Sequence, residues 1–383
     1  MRITMLSQRL PPENHTGAPL QAVQLSRALI ARGARVQMLT TRPYGVNDHC
    51  GTLTGIPVRA IRYPRVPGLV SIARLLGAAA HAPRIADTDI VHGHALSPMI
   101  LGYALNRGRQ GPPLLVKPSL GGLHREGELQ RLNTPMAKPL LHRALHRIDA
   151  FAVLDDLIES DLRSLGIPGD RLIRVDNGVD LERFRPADAA QKHALRGNFG
   201  ITAQRVILFC GQLSPRKGVA ELLAAWPQQL AGEHSVALAL CGAGPLQTEV
   251  ENAARDHPGA IHYLGQQADA AAVMRMADAL VLPSRIESFG NVIVEALASG
   301  IPVISTRCGV AGRTVVPGRT GWHIEMVNAP AINTSLSEAI AARSHWPDMA
   351  QEACKTAAAF AVERIAGNYL HIYERLLDRG RHA

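Results

Sequence analysis

A chain of 383 residues, 46% hydrophobic, with 41 Lys/Arg against 32 Asp/Glu and a net charge of +9, is long enough for two domains of ordinary size. No apolar run reaches the length of a membrane span, because "LVSIARLLGAAAHA" is interrupted by Arg74, and the opening "MRITMLSQRLPP" has too short an apolar core for a signal peptide; the expectation is a cytoplasmic protein. Five cysteines (Cys50, Cys210, Cys241, Cys308, Cys354) lie far apart with no C-x-x-C and read as reduced packing residues, which excludes a disulfide framework and a zinc site.

In chain order, "RITMLS" is a short apolar strand, "LQAVQLSRALIARG" repeats apolar residues at helical spacing and ends at Gly33, and "RVQMLT" is the next strand. "GIPVRAIRY", "DIVHGH" and "PLLVKPS" continue as strands, and "AFAVLDD" follows a helix around "AKPLLHRALHRI". A fresh series opens with "RVILFCGQ" after the Pro-containing "FRPADAAQ". It runs through "ELLAAWPQQL", "VALALCG", a helix from Leu246, "IHYLG", "DALVLPS", a helix from Asn291 and "PVIST". Strands alternating with helices predict parallel, doubly wound sheets, here two Rossmann-like domains with a boundary near Arg183 to Pro186. Ligands of such sheets bind outside the carboxyl ends of the strands, so the default site is a cleft between the two domains.

Three turns qualify as binding loops. In "CGQLSPRKG" a strand ends at Gly211 and Lys217 precedes a helix beginning near Val219, where a lysine meets an anion as a point charge; a solvated surface lysine accounts for the same pattern. "CGAGP" places Gly242 and Gly244 in a strand-to-helix turn that permits close backbone approach, or is only a tight turn. The third is the opening segment, with a helix N-terminus near Pro19 and Leu20. In "PSRIESFGNVIVEALASGIPVIS" the glutamates Glu287 and Glu295 stand eight apart, about two helical turns and some 80° of rotation, so they would not share one helix face. With Glu287 in the loop after "ALVLP", a turn at Ser288-Phe289-Gly290 and a helix from Asn291, both carboxylates face a ligand at the helix N-terminus, which suits a phosphate. An ordinary strand–loop–helix with solvated glutamates accounts equally well for this stretch alone.

The charge is unevenly divided: residues 1–185 hold 24 Lys/Arg against 15 Asp/Glu, and residues 186–383 hold 17 of each. Aromatic residues are only 4%, with no stacking platform, zinc finger or RNA-recognition motif, so no nucleic-acid partner is expected. Anionic lipid or a phosphorylated acceptor accounts better for the basic half. Arg59, Arg62, Arg65, Arg74 and Arg84 surround the apolar "GLVSIARLLGAAAHA", and Lys138, Arg143 and Arg147 surround "PLLHRAL". Both segments read as helices with an apolar face and basic flanks, which dock on an anionic membrane surface or pack on their own sheet. His92 and His94 have no carboxylate or cysteine at metal-ligand spacing, so no metal site is expected.

These segments together resemble the retaining glycosyltransferases of family 4, which have the GT-B fold, of the bacterial polysaccharide and lipopolysaccharide type. The likeness runs through "NHTGAPLQAVQLSRALIARGARVQMLT", "DIVHGH", "RVDNGVDLERFRP", "FCGQLSPRKGVAELLAAW", "ALCGAGP", "YLGQQADAAAVMRMADALVLPSRIESFGNVIVEALASGIPVIS" and "GRTGWHI", with the Glu-x7-Glu stretch as the family's signature. It implies two Rossmann-like domains facing a central cleft: residues 1–183 for the acceptor, residues 184–364 for the nucleotide sugar, and a helix over 365–383 crossing back to the first domain. By the same resemblance Glu295 binds the ribose hydroxyls, Glu287 lies beside the transferred sugar, and the backbone of Ser288, Phe289, Gly290, Asn291 and Val292 meets sugar hydroxyls and diphosphate. Lys217 neutralises the leaving diphosphate, His94 faces the cleft, and Gly17, Gly242 and Gly244 line the donor site. Retention follows from front-face attack by the acceptor hydroxyl, a donor phosphate oxygen taking its proton, with no metal, cofactor or protein nucleophile.

Departures from the family pattern are Gln212 in place of an arginine, for which Arg216 is the candidate to compensate, and Ser119 where a histidine is common. Lys117, Gly121, Gly122 and His124 become candidates for that histidine's role. The first loop has Gly17-Ala18 instead of a double glycine, and Arg313 takes an acidic position. The expected function is transfer of a hexose from a UDP- or GDP-sugar to a saccharide or lipid-linked acceptor, in the cytoplasm or on the inner face of the cell membrane. The alternative is a sugar-nucleotide-binding or scaffolding protein of a glycan assembly complex that has lost turnover.

Overall fold

The computed structural model describes residues 1–11, 17–45, 51–65, 69–81, 85, 87–108, 111–121, 127–132, 138–226 and 236–381. Contacts divide the chain into two compact units, Met1–Gly178 with Val362–Ala383, and Val179–Ala361. The first crossing thus precedes the position read from the sequence by five residues, and the terminal helix begins at Val362 instead of residue 365. The Pro-containing stretch around residue 186 marked a loop, whereas the boundary follows backbone pairing. The Val179 N–H donates to the Phe360 carbonyl at 2.8 Å inside the second unit, and Gly178 packs against Val362 inside the first.

Among the described residues the first unit holds eight strands: β1 Arg2–Ser7, β2 Arg35–Pro43, β3 Thr52–Leu53, β4 Ile56–Tyr63, β5 Ile90–His94, β6 Leu114–Lys117, β7 Ala150–Val153 and β8 Leu172–Arg174. Their order is β3-β4-β2-β1-β5-β6-β7-β8, with every neighbouring pair parallel except β3 and β4. Strands β5, β6 and β7 are buried along their whole length, as expected of parallel strands covered on both faces. The strand order reverses at β1, which pairs with β2 on one side and β5 on the other. Ser7 and His94 therefore stand side by side at the carboxyl edge, at the switch point where such folds place ligands.

The second unit repeats the plan with six parallel strands: β9 Arg205–Cys210, β10 Val236–Cys241, β11 Ile261–Gly265, β12 Ala279–Leu282, β13 Val303–Ser305 and β14 Gly321–His323. Their order is β11-β10-β9-β12-β13-β14, so the switch point lies between β9 and β12. Among the described residues no helix is long and apolar enough to cross a membrane.

The helix Val362–Arg381 belongs to the first unit, where its tyrosines Tyr369 and Tyr373 are buried. The Tyr373 hydroxyl and Nδ1 of the fully buried His92 share a 2.7 Å hydrogen bond. Tyr373→Phe would leave that ring nitrogen without its partner, and the expected loss is about 1–3 kcal/mol. Urea unfolding measures it; an unchanged midpoint would show that the helix docks without this bond.

Candidate functional site

In the second unit the two strands at the switch point send out the loops that the sequence singles out. After β9 the chain passes Gly211 and Gln212, turns once over Pro215–Lys217 and enters the helix Val219–Ala225. After β12 it runs through Ser284 and Glu287 into the helix Asn291–Ala298. Lys217 and Glu287, each about one-tenth exposed, form an ion pair, and the Ser284 hydroxyl donates to the same Glu287 Oε1 at 2.7 Å. Burial alone would raise the Glu287 pKa. The Lys217 ammonium, its hydrogen bond, the Ser284 hydroxyl and the Arg216 guanidinium outweigh burial and hold the carboxyl below its usual range. The loops are also laced by backbone: Arg285 N–H donates to the Arg216 carbonyl at 2.8 Å, and Arg216 Nη1 to the Ile286 carbonyl at 2.9 Å. Arg216 is therefore partly engaged in holding its neighbour loop, while Gln212 is exposed.

Gly290 caps the second helix with φ +82°, and a Cβ there would lie 2.8 Å from the Ile293 side chain, so only glycine fits the turn. Ser288 and Phe289 are buried, and the Phe289 carbonyl accepts from Val310 N–H at 2.8 Å; that carbonyl serves the fold, whereas Asn291 and Val292 open the helix at its positive end. Glu295, in the second turn, has its pKa pushed up to about 7 by burial, against the pull of Arg183. A Cβ on Gly242 would lie 1.9 Å from the Gly211 carbonyl oxygen, and Gly244 approaches the Leu213 carbonyl similarly. Contact between the two loops thus accounts for both glycines without a ligand.

The carboxyl edge of the first unit differs from expectation. His94, expected to face outward, is 1% exposed; its ring stacks on His92 at 4.3 Å, and neither ring nitrogen has a partner among the described residues. Burial, then the neighbouring charges, holds both histidines well below their usual pKa, so they are neutral. Lys117 Nζ donates to Asn177 Oδ1 at 2.9 Å, and burial lowers its pKa to about 7. Ser119 is held by Glu128, which accepts from its hydroxyl, from its N–H at 3.1 Å and from Leu96 N–H at 2.7 Å. Glu128 thereby ties the loops after β5 and β6 together. Sequence reasoning missed it because nothing but its position after Gly127 sets it apart. Gly17 is exposed at the start of the helix Gly17–Ala31, Gly121 packs against Ile158, and Gly122 and His124 lie outside the described residues. Among the described residues no three His, Cys, Asp or Glu side chains are grouped to hold a metal ion.

Comparison with known proteins identifies the family. Residues 16–178 match the family model of the glycosyl transferase 4-like domain, and residues 204–342 match that of the group 1 glycosyl transferases. The chain belongs to the family 4 glycosyltransferases of GT-B fold, enzymes that move a sugar from an activated donor to an acceptor. It is 29% identical over 218 residues to the GDP-mannose-dependent alpha-(1-6)-phosphatidylinositol monomannoside mannosyltransferase of Mycolicibacterium smegmatis, covering 54% of this chain and 57% of that one. It is 27% identical to D-inositol 3-phosphate glycosyltransferase 2 of Catenulispora acidiphila over 98% of this chain and 95% of that one. Among solved structures, Anabaena HepE in complex with UDP and glucose superposes with a TM-score of 0.74 at 19% identity, over 98% of this chain and 100% of that one.

The raised pKa of Glu295 makes a linkage prediction. The folded state holds a proton that the unfolded chain releases, so the stabilisation is full below the ordinary value of 4.5 and is lost as pH rises through about 7. Glu295→Gln should abolish that fall in unfolding midpoint. The same pH slope in both proteins would mean that Glu295 titrates normally.

Proposed function

We propose that this chain transfers a hexose, with retention of configuration, from a UDP- or GDP-sugar to a saccharide or lipid-linked acceptor of a bacterial glycan. The observation that carries the reading is the Lys217–Glu287 pair on the two loops flanking the switch point, followed at once by a helix N-terminus and Glu295. A diphosphate at that N-terminus takes up Lys217 as counter-ion, and charge developing on it as the glycosidic bond breaks is stabilised by the ammonium and the helix dipole. Glu287, ionised, accepts hydroxyls of the sugar, and Glu295 accepts those of the ribose. The acceptor hydroxyl attacks from the face the diphosphate leaves, and a departing phosphate oxygen takes its proton; no metal, cofactor or protein nucleophile enters. The donor class is supported by the GDP-mannose dependence in one relative's name and the UDP of the structural neighbour. An anionic acceptor is supported by the phosphatidylinositol and inositol phosphate in the relatives' names.

The test is release of nucleoside diphosphate and transfer of sugar from a panel of UDP- and GDP-hexoses. Lys217→Ala, on protein shown to be folded by its thermal transition, should lower turnover about 100-fold or more, as loss of one oxyanion donor does. Turnover within about twofold of the wild type would remove Lys217 from the mechanism. Saturable nucleotide binding with no sugar release by the wild type would favour instead the binding protein that Gln212 suggests.

The first unit, with 26 Lys/Arg against 16 Asp/Glu, docks in this reading on an anionic membrane that carries the acceptor. On the helix Val70–His81 and just before it, Leu69, Ile72 and Leu76 are 49%, 54% and 61% exposed in one stripe. Leu140 is exposed beside Lys138 and Arg143, and Arg59 and Arg65 are exposed as well. Three of the basic residues named from sequence have inward partners: Arg74 donates to the Tyr63 hydroxyl, Arg62 to the Pro43 carbonyl and Arg147 to the Leu105 carbonyl; Arg84 lies outside the described residues. The four exposed cations contribute about 1 kcal/mol each near an acidic surface, screened within a Debye length. Sedimentation should show binding to vesicles containing acidic lipid at low salt and its loss at high salt; equal partition into neutral vesicles would exclude electrostatic docking.

A further inference from the structure

Cys210 ends β9 and Cys241 ends β10, and the parallel register pairs the two residues directly. In-register neighbours on adjacent strands stand about 4.8 Å apart with side chains on the same face, within the roughly 4.4–6.8 Å between Cα atoms that a disulfide spans. Their thiols are free, and each is the largest influence on the other's ionisation. Cys241 is nearly buried, but Cys210 is half-buried and offers a small oxidant a way in. The residues that follow, Gly211 and Gly242, are the two whose backbones touch, and the Gly211 N–H donates to the Cys241 carbonyl at 2.9 Å. Among the charges acting on Cys210 are Glu295 and Lys217.

We infer that Cys210 and Cys241 form a peroxide-oxidisable dithiol, and that closing their disulfide lowers the affinity of the adjacent edge for a nucleotide donor. The second half rests on the donor-site reading above. One thiolate attacks hydrogen peroxide and becomes a sulfenic acid as hydroxide leaves; the other displaces the sulfenic hydroxyl and the S–S bond closes. Two S–H bonds and the O–O bond are lost, both sulfurs are oxidised, the peroxide is reduced, and the two thiol protons leave with the two hydroxides as water. Cys210 beside it holds the Cys241 thiol below its usual pKa and so favours the thiolate, which is the form that reacts. Covalent closure fixes the strand ends on which Gly211 and Gly242 rest, and it takes away the thiol on which the charges of Glu295 and Lys217 act. Disulfides of reducing compartments are characteristically transient and redox-sensing.

The intact protein is treated with hydrogen peroxide, alkylated and digested with trypsin without reductant. The expected product joins residues 206–216 to residues 218–255, two hydrogens lighter than the separate peptides, and dithiothreitol reverses it. Calorimetry with UDP and GDP should show affinity falling about fivefold or more on oxidation, the low end of ordinary coupling between sites, with no change in Cys210→Ser. Both cysteines remaining alkylated after peroxide, or either one joined to Cys308 instead, would overturn the oxidation site. A cross-link with unchanged nucleotide affinity would overturn the coupling. The cross-link is read without nucleotide, so reduced protein that binds neither UDP nor GDP refutes the donor-site reading and leaves the oxidation site decided on its own.

Discussion

The second unit turns on one ion pair, Lys217 with Glu287. Neither charge could be sunk alone into that corner of the fold, because an unpaired buried ion costs several kcal/mol that nothing nearby returns. The pair therefore fixes two loops at once, and Ser284, Arg216 and the Arg285 N–H follow it into place. A buried pair adds little net stability over a well-packed apolar contact, so its worth lies elsewhere. In the proposed reaction it keeps an ammonium poised in a low-dielectric setting with a counter-ion that a diphosphate can supplant.

The sheet explains why these residues meet although seventy positions separate them. In a parallel doubly wound sheet every strand ends at the same edge, and reversal of strand order at β9 makes β12 its neighbour. On the other side of β9 lies β10, and that neighbour constrains the loops differently. With Gly211 against Gly242 and Leu213 against Gly244, no side chain can enter between them. One ligand-facing edge is thus shaped from one flank by charge and from the other by bare backbone.

Much of this was legible because it is local. Apolar runs of four to eight residues separated by helical periods predict eleven of the fourteen described strands in place, missing the two- and three-residue β3, β8 and β14, and the spacing of Glu287 and Glu295 predicts a loop followed by a helix, which is what Gly290 and Asn291 build. What escaped was choice of partner. Arg74 looks like a membrane contact until Tyr63 comes within 2.8 Å of it. Cys210 and Cys241 look unrelated until the register of β9 and β10 sets them side by side. Glu128 carries no local signal, since its importance comes from two loops that only the order of β5 and β6 brings together. His94 looks like a cleft residue by family resemblance, and a helix more than 260 residues further on supplies the tyrosines that help bury the histidine pair.

The two carboxyl edges differ in the charge they keep. At Glu287 in the second unit partners preserve ionisation: it remains a carboxylate against burial because Lys217, Ser284 and Arg216 surround it, whereas burial prevails at Glu295. In the first unit burial wins: His92 and His94 are neutral, and Lys117, which faces the Asn177 amide oxygen and the Tyr369 ring, is brought to about 7. A fixed positive charge serves a diphosphate, whose charge grows as it leaves. The contrast follows from burial and pairing alone, and it suits the chemistry proposed for the chain.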